Sequence, residues 1–297
     1  MISHIVNNKQ QIPLDIAFSK QSMDIIALLL GCKKIELTEY AKKDIIALLP
    51  HLLHLAAAKN TIDLISPLID RGLDPNNEDG MGSTPLMMAV MKKNLMFVRK
   101  LIGTRKVDVN RSNRAGQNPL LIALMLGDGS MIVRLLLCHP FLKVNCSNEV
   151  GETPLVNAIR YGNPGTVEVL LEHPIADPNL VAQKSSIPFL EAVKSGNRRM
   201  IDVFLNNDKT NFCAVGDGNS NADHYAILSD DVDILELILN IKGVDVKKKS
   251  DRYGTPLEMV LNTENIKFAS LLTNKIELDQ IPEEELTPND IEHNCTD

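Results

Sequence analysis

Prolines at positions 85, 119, 154 and 188 stand 34, 35 and 34 residues apart, and each sits second in the same six-residue phrase. The phrases are Thr84-Pro85-Leu86-Met87-Met88-Ala89, Asn118-Pro119-Leu120-Leu121-Ile122-Ala123, Thr153-Pro154-Leu155-Val156-Asn157-Ala158 and Ile187-Pro188-Phe189-Leu190-Glu191-Ala192. Pro256, in Thr255-Pro256-Leu257-Glu258-Met259-Val260, follows Pro188 by 68 residues, twice the period. The unit between them is Asn221-Ala222-Asp223-His224-Tyr225-Ala226, which lacks the Pro and Leu. Upstream, His51-Leu52-Leu53-His54-Leu55-Ala56 places Leu52 33 residues before Pro85, and Ile12-Pro13-Leu14-Asp15-Ile16-Ala17 lies a further 39 back. A period of this length implies supersecondary units that cannot bury their apolar faces alone and must stack.

Each unit has the same grammar. Thr or Asn before Pro predicts a helix start, because the side-chain oxygen caps free N–H groups and proline at the first helical position loses no hydrogen bond. A second apolar segment follows at helical spacing, as in 96–102, 131–137, 166–171 and 233–239. Then comes an extended segment ending in Asn (Val107 to Asn110, Lys143 to Asn145, Asp177 to Asn179) and a turn with Gly82, Gly116, Gly151 or Gly254. The repeat therefore reads helix, turn, helix, β-turn finger. The absence of Trp and the aliphatic palette suit stacked helices better than a β-sandwich.

These phrases resemble the T-P-L-H-x-A signature of ankyrin repeats, whose unit is about 33 residues. The resemblance implies an all-α ankyrin-repeat solenoid of about eight helix-turn-helix repeats with β-turn fingers, covering residues 1–276, and a hydrogen bond between repeats from His54. The first repeat is atypical, with an insert at 33–50. In the seventh, the finger from Phe212 to Asn221 reads as long and polar, either flexible or shaped for a partner. In the eighth, Gly254 stands one residue closer to its Thr than in its relatives. Residues 277–297 form an acidic tail, expected to be disordered.

The charge and motif content narrows the function. The net charge is −7, but eight acidic residues and no basic one follow Lys275, leaving +1 for residues 1–276. A nearly neutral body has no drive toward nucleic acid. Five cysteines without a C-x-x-C pair argue against disulfides and zinc, and point to a reducing compartment and a cytoplasmic location. No signal-peptide pattern and no membrane-length apolar run is present. Neither nucleotide-loop, zinc-protease nor serine-hydrolase motifs occur, so no cofactor is expected and the chain is not expected to be an enzyme. Asp217 to Asp223 alternates oxygen ligands like a calcium loop, but Ala222 and Leu228 stand where that loop needs Gly and Glu, favouring a polar turn. His139 and His173, 34 apart, read as repeated helix-terminal residues rather than a metal pair.

What remains is protein binding, by a chain expected to be monomeric. The resemblance implies that finger tips and the exposed face of each first helix line a concave groove. On the matching positions that surface comprises Met81, Met91, Lys92, Arg114, Gln117, Met125, Leu126, Glu149, Arg160, Tyr161, Lys184, Lys194, Arg252 and Tyr253. Met81, Met91, Met125, Leu126 and Tyr161 are apolar or aromatic where a merely solvated face would be polar. The alternative is that several pack on a neighbouring finger. Asn110 is the first candidate for the asparagine hydroxylation that ankyrin repeats undergo in eukaryotic cytosol. The tail either solubilises the chain or resembles the glutamate-rich export signals of bacterial type IV effectors, which act on host proteins. The other reading is an adaptor or inhibitor in its own cell.

Overall fold

The computed structural model describes residues 16–17, 51–70, 72–127, 130–181, 186–261 and 265–279. The insert at 33–50 and most of the acidic tail lie outside them. Of the outlying first copy only Ile16 and Ala17 are described, and both are helical.

Fourteen helices occur among the described residues, in seven pairs. They are α1 (51–59), α2 (Ile65–Asp70, after a 3-10 turn at Ile62–Leu64), α3 (Pro85–Met91), α4 (Leu95–Gly103), α5 (Pro119–Met125) and α6 (Ser130–Leu137). The rest are α7 (Pro154–Arg160), α8 (Pro164–Leu171), α9 (Pro188–Lys194), α10 (Arg198–Leu205), α11 (Ala222–Leu228), α12 (Val232–Leu239), α13 (Pro256–Leu261) and α14 (Ile266–Leu278). The periodic phrase opens the first helix of each pair, and the caps behave as its chemistry requires. Thr84 Oγ1 accepts from Met87 N–H (3.3 Å), Asn118 Oδ1 from Leu121 N–H (2.9 Å) and Thr255 Oγ1 from Glu258 N–H (3.2 Å). Ile187 has no oxygen to offer, and α9 starts without a side-chain cap.

The chain divides into two compact units. One holds the described residues up to Asn157 together with Glu172–Ile175; the other holds Ala158–Leu171 and everything from Ala176 on. In the first unit α3 stacks on α5 and α4 on α6. Leu86, Val90, Phe97, Val98, Leu101, Leu120 and Val133 are wholly buried between them. In the second, α9, α11 and α13 stack in sequence, and α8 packs on α10 and α12 on α14. Phe189, Phe204, Ile234, Leu235 and Phe268 make its core, with Phe189 edge-on to Phe212 at 5.0 Å.

Fingers close as five-residue turns. Asp79 N–H donates to Ser83 O (2.9 Å), Asn113 N–H to Gln117 O (2.9 Å), Asn148 N–H to Glu152 O (3.1 Å) and Ser250 N–H to Gly254 O (2.8 Å). An Asp or Asn opens three of them because its side chain accepts from backbone N–H groups inside the turn: Asp79 Oδ1 takes those of Met81 and Ser83. In the seventh repeat Gly216 N–H donates to Ser220 O (2.8 Å), so that finger is no longer than the others. The eighth keeps the same span too, with Gly254 taking the place of Ser83.

Asparagine amides join successive repeats. Asn110 Nδ2 donates to Phe141 O (2.6 Å) and its Oδ1 accepts from Lys143 N–H (2.7 Å). Asn76 does the same to Lys106 O and Asp108 N–H, and Asn179 to Lys209 O and Asn211 N–H. Asn145 Nδ2 donates to Ile175 O. At the next place Cys213 stands in for Asn, its thiol donating to Gly243 O (2.9 Å). Asn110→Ala removes two such bonds at about 0.5–1.5 kcal/mol each. We expect a loss of about 1–3 kcal/mol in urea unfolding; a loss below about 0.5 kcal/mol would mean that the amide does not staple the stack.

Candidate functional site

The side chains singled out by the repeat phase fall in both units. In the first unit Met81 is 74% exposed at the tip of its finger, and Met91 and Met125 are 39% and 42% exposed at the ends of α3 and α5. Lys92, Arg114 and Glu149 are exposed beside them in phase, while Gln117 and Leu126 are half-buried. Arg114 N–H donates to Met81 O (3.1 Å), tying one finger to the next. Gln117 Nε2 donates to Met125 Sδ (3.1 Å), which holds the thioether in place. Glu149 crosses Gly116 so closely that a β-carbon on that glycine, at φ +69°, would come within 2.6 Å of the Glu149 backbone nitrogen.

In the second unit Arg160, Tyr161 and Lys194 are exposed, Tyr161 at 45%. Arg160 Nη2 donates to Ser186 Oγ (3.5 Å), which in turn donates to Glu191 Oε1 (3.0 Å). Leu228, in phase with Met91 and Met125, is exposed at the end of α11. Arg252 is exposed and its guanidinium lies 5.4 Å from the ring centre of half-buried Tyr253. Lys184 lies outside the described residues. Ser83 and Ser186, finger residues by phase, are both buried. The carbonyl of Ser83 accepts from His54 Nε2 (2.7 Å), the inter-repeat bond that the resemblance implies for that histidine.

The seventh repeat holds what phase alone left unread. His224 stands five repeats after His54 in the same phase, and its Nε2 donates to Gly254 O (2.9 Å) as His54 does to Ser83 O. Its finger is a 3-10 turn at Asp217–Asn219 bonded to the eighth: Asp251 N–H donates to Gly218 O (2.8 Å), and Asn219 Nδ2 donates to the Asp251 carboxylate. The alternating oxygens of the calcium-like stretch therefore point to separate partners, since Asn221 caps α11 and Asp223 enters the core. Among the described residues no group of His, Cys, Asp and Glu is placed to hold a metal ion, and no helix is long and apolar enough to cross a membrane. Asn76 and Cys213 stand one 34-residue step before Asn110 and after Asn179, and His224 five steps after His54, so the period carried along the chain could have found them.

Exposed positions contribute little to the core, so Met91→Glu and Met125→Glu are expected to move the unfolding free energy by no more than about 0.5 kcal/mol each. A loss of about 2 kcal/mol or more would assign these methionines to packing rather than to a free surface.

The family model described as ankyrin repeats (three copies) matches residues 53–142 and 86–182. The human neurogenic locus notch homolog protein 2 is 34% identical over 87 residues, 29% of this chain, and the zebrafish (Danio rerio) neurogenic locus notch homolog protein 1 is equally similar over the same length. The chain spans only 4% of the length of these relatives. Among solved structures, the ankyrin repeat domain of Bcl-3, a member of the IkappaB protein family, superposes with a TM-score of 0.67 at 24% identity, covering 74% of this chain and 97% of that one. The chain therefore carries ankyrin repeats over residues 53–182, and its helix pairs have the ankyrin-repeat fold.

Proposed function

We propose that the chain binds a partner protein through its finger tips and the exposed ends of its first helices. Ankyrin-repeat domains are protein-protein interaction modules and typically serve as non-enzymatic scaffolds. The observation that carries the reading is the strip of Met81, Met91 and Met125 left in solvent beside Lys92 and Arg114. Thioethers adapt to irregular apolar surfaces, and arginine and lysine at the rim favour acidic neighbours. A segment with aliphatic anchors and flanking carboxylates is the partner chemistry that fits. In the second unit Tyr161, Leu228, Arg160 and Lys194 repeat the combination of apolar and basic groups.

The test is affinity capture with three folded proteins: the wild type, a strip variant (Met81→Glu, Met91→Glu, Met125→Glu) and a control, Met131→Glu, at an exposed position of α6. A partner kept by wild type and control and lost by the strip variant is the expected result. Retention by the strip variant would remove this surface from consideration.

Two settings fit a binding module. An exported protein acting on a target in a host cell requires the acidic tail for delivery, so deletion of residues 280–297 abolishes export and leaves binding intact. An adaptor or inhibitor in its own cell loses neither on that deletion. Asn110, with both ends of its amide engaged between repeats, is the position at which hydroxylation by the host would be sought.

A further inference from the structure

The third residue of the repeated phrase is a core position. Leu53, Leu86, Leu120, Leu155 and Phe189 are all buried there. In α11 the same place is taken by Asp223, which is wholly buried. Its Oδ2 accepts from Asn221 Nδ2 (3.2 Å), which also donates to Asp245 O (2.8 Å). Its Oδ1 meets no donor among the described residues. A carboxylate with one weak hydrogen bond is a poor occupant of a leucine site, whereas a neutral carboxyl is tolerable.

The surroundings favour the neutral form. Burial, with help from Asp245 and Asp279, pushes the carboxyl up to about 7 against the Asn221 bond and Lys275 of α14, which pull it down. The other charges on the packed helices have partners or solvent of their own. Glu191 of α9 accepts from Ser186, Asp233 and Glu236 of α12 are exposed, and Glu258 of α13 accepts from Thr255 N–H. His224, next in sequence, titrates in the opposite sense, since burial holds its imidazole below the ordinary value.

We propose that Asp223 is a proton-operated latch of the seventh and eighth repeats: while the carboxyl is neutral α11 stays packed between α9 and α13, and its ionisation loosens those contacts. The sign follows from the direction of the shift. A group whose folded pKa lies above its unfolded value contributes stability that is complete below about pH 4 and is lost as pH rises to about 7. The latch bears on binding because α11 ends in Leu228, and the Tyr253 ring lies 6.5 Å from that of His224. That consequence rests on the surface proposed above; the latch itself does not.

The experiment is native-state hydrogen exchange on the full chain between about pH 5 and pH 8, corrected for the intrinsic chemical rate, with Asp223→Asn and Asp223→Leu alongside. One proton linked to opening changes the equilibrium roughly tenfold per pH unit. Peptides from α11 and α13 of the wild type should therefore lose protection relative to both variants by up to that factor per unit below about pH 7. Peptides from α3 to α6 should show no such difference. A wild type and an Asp223→Asn variant with parallel profiles would overturn the proposal. Carbon-13 titration of the wild-type aspartate carboxyls supplies a reading that needs no variant. A carboxyl with a midpoint near 7 supports the latch, and a folded chain in which every aspartate titrates near 4 overturns it.

Discussion

Stacking depends on side chains that reach across a repeat boundary to satisfy backbone groups on the other side. A helix pair has one apolar stripe per helix and no second layer of its own, so its core exists only where the next pair covers it. The amides of Asn76, Asn110, Asn145 and Asn179 and the imidazoles of His54 and His224 set the register of that covering, each meeting a carbonyl about 30 residues on. Apolar contact supplies most of the stabilisation but is non-directional. The amide and imidazole bonds are directional, which is why they recur at fixed phase while the apolar residues around them vary.

The same economy explains the exposed surface. Once the finger carbonyls and amides are bonded to each other, as Met81 O is to Arg114 N–H, the side chains at the tips are free of structural duty. Met81, Met91 and Met125 can then be apolar without loss of stability, although a monomer in water gains nothing by it. Their exposure beside basic groups is the observation on which the proposed binding surface rests.

The seventh repeat is where the pattern and the packing part company. Loss of Pro and Leu in Asn221-Ala222-Asp223 reads as degeneration, yet α11 forms, is capped by Asn221 and keeps the inter-repeat histidine. A polar set replaces the apolar plug, including buried Ser220 and Ser250, whose hydroxyls meet at 2.9 Å. The finger that looked long and free is bonded to its successor through Gly218 O and Asn219. Composition was a poor guide there because Gly and Asn serve a tight left-handed turn, with φ of +59° at both Gly218 and Asn219, as readily as a loose loop.

The sequence by itself determined the period, the helix starts and the finger turns, because Thr-Pro caps, Asp or Asn turn openers and helical apolar spacing act within a few residues of one another. The resemblance carried His54 to its inter-repeat role, whereas the bonds of Asn110 between repeats are visible only in the structure. Burial could not be settled in the same way, since it depends on atoms a full repeat away. Ser83 and Met81 are two residues apart on one finger, and the structure buries the first and exposes the second. Asp223, an acidic residue in a polar stretch, sits deeper than most leucines because α9, α12 and α13 close around its helix. Local chemistry chose the elements; only tertiary packing decided which of their side chains meet water.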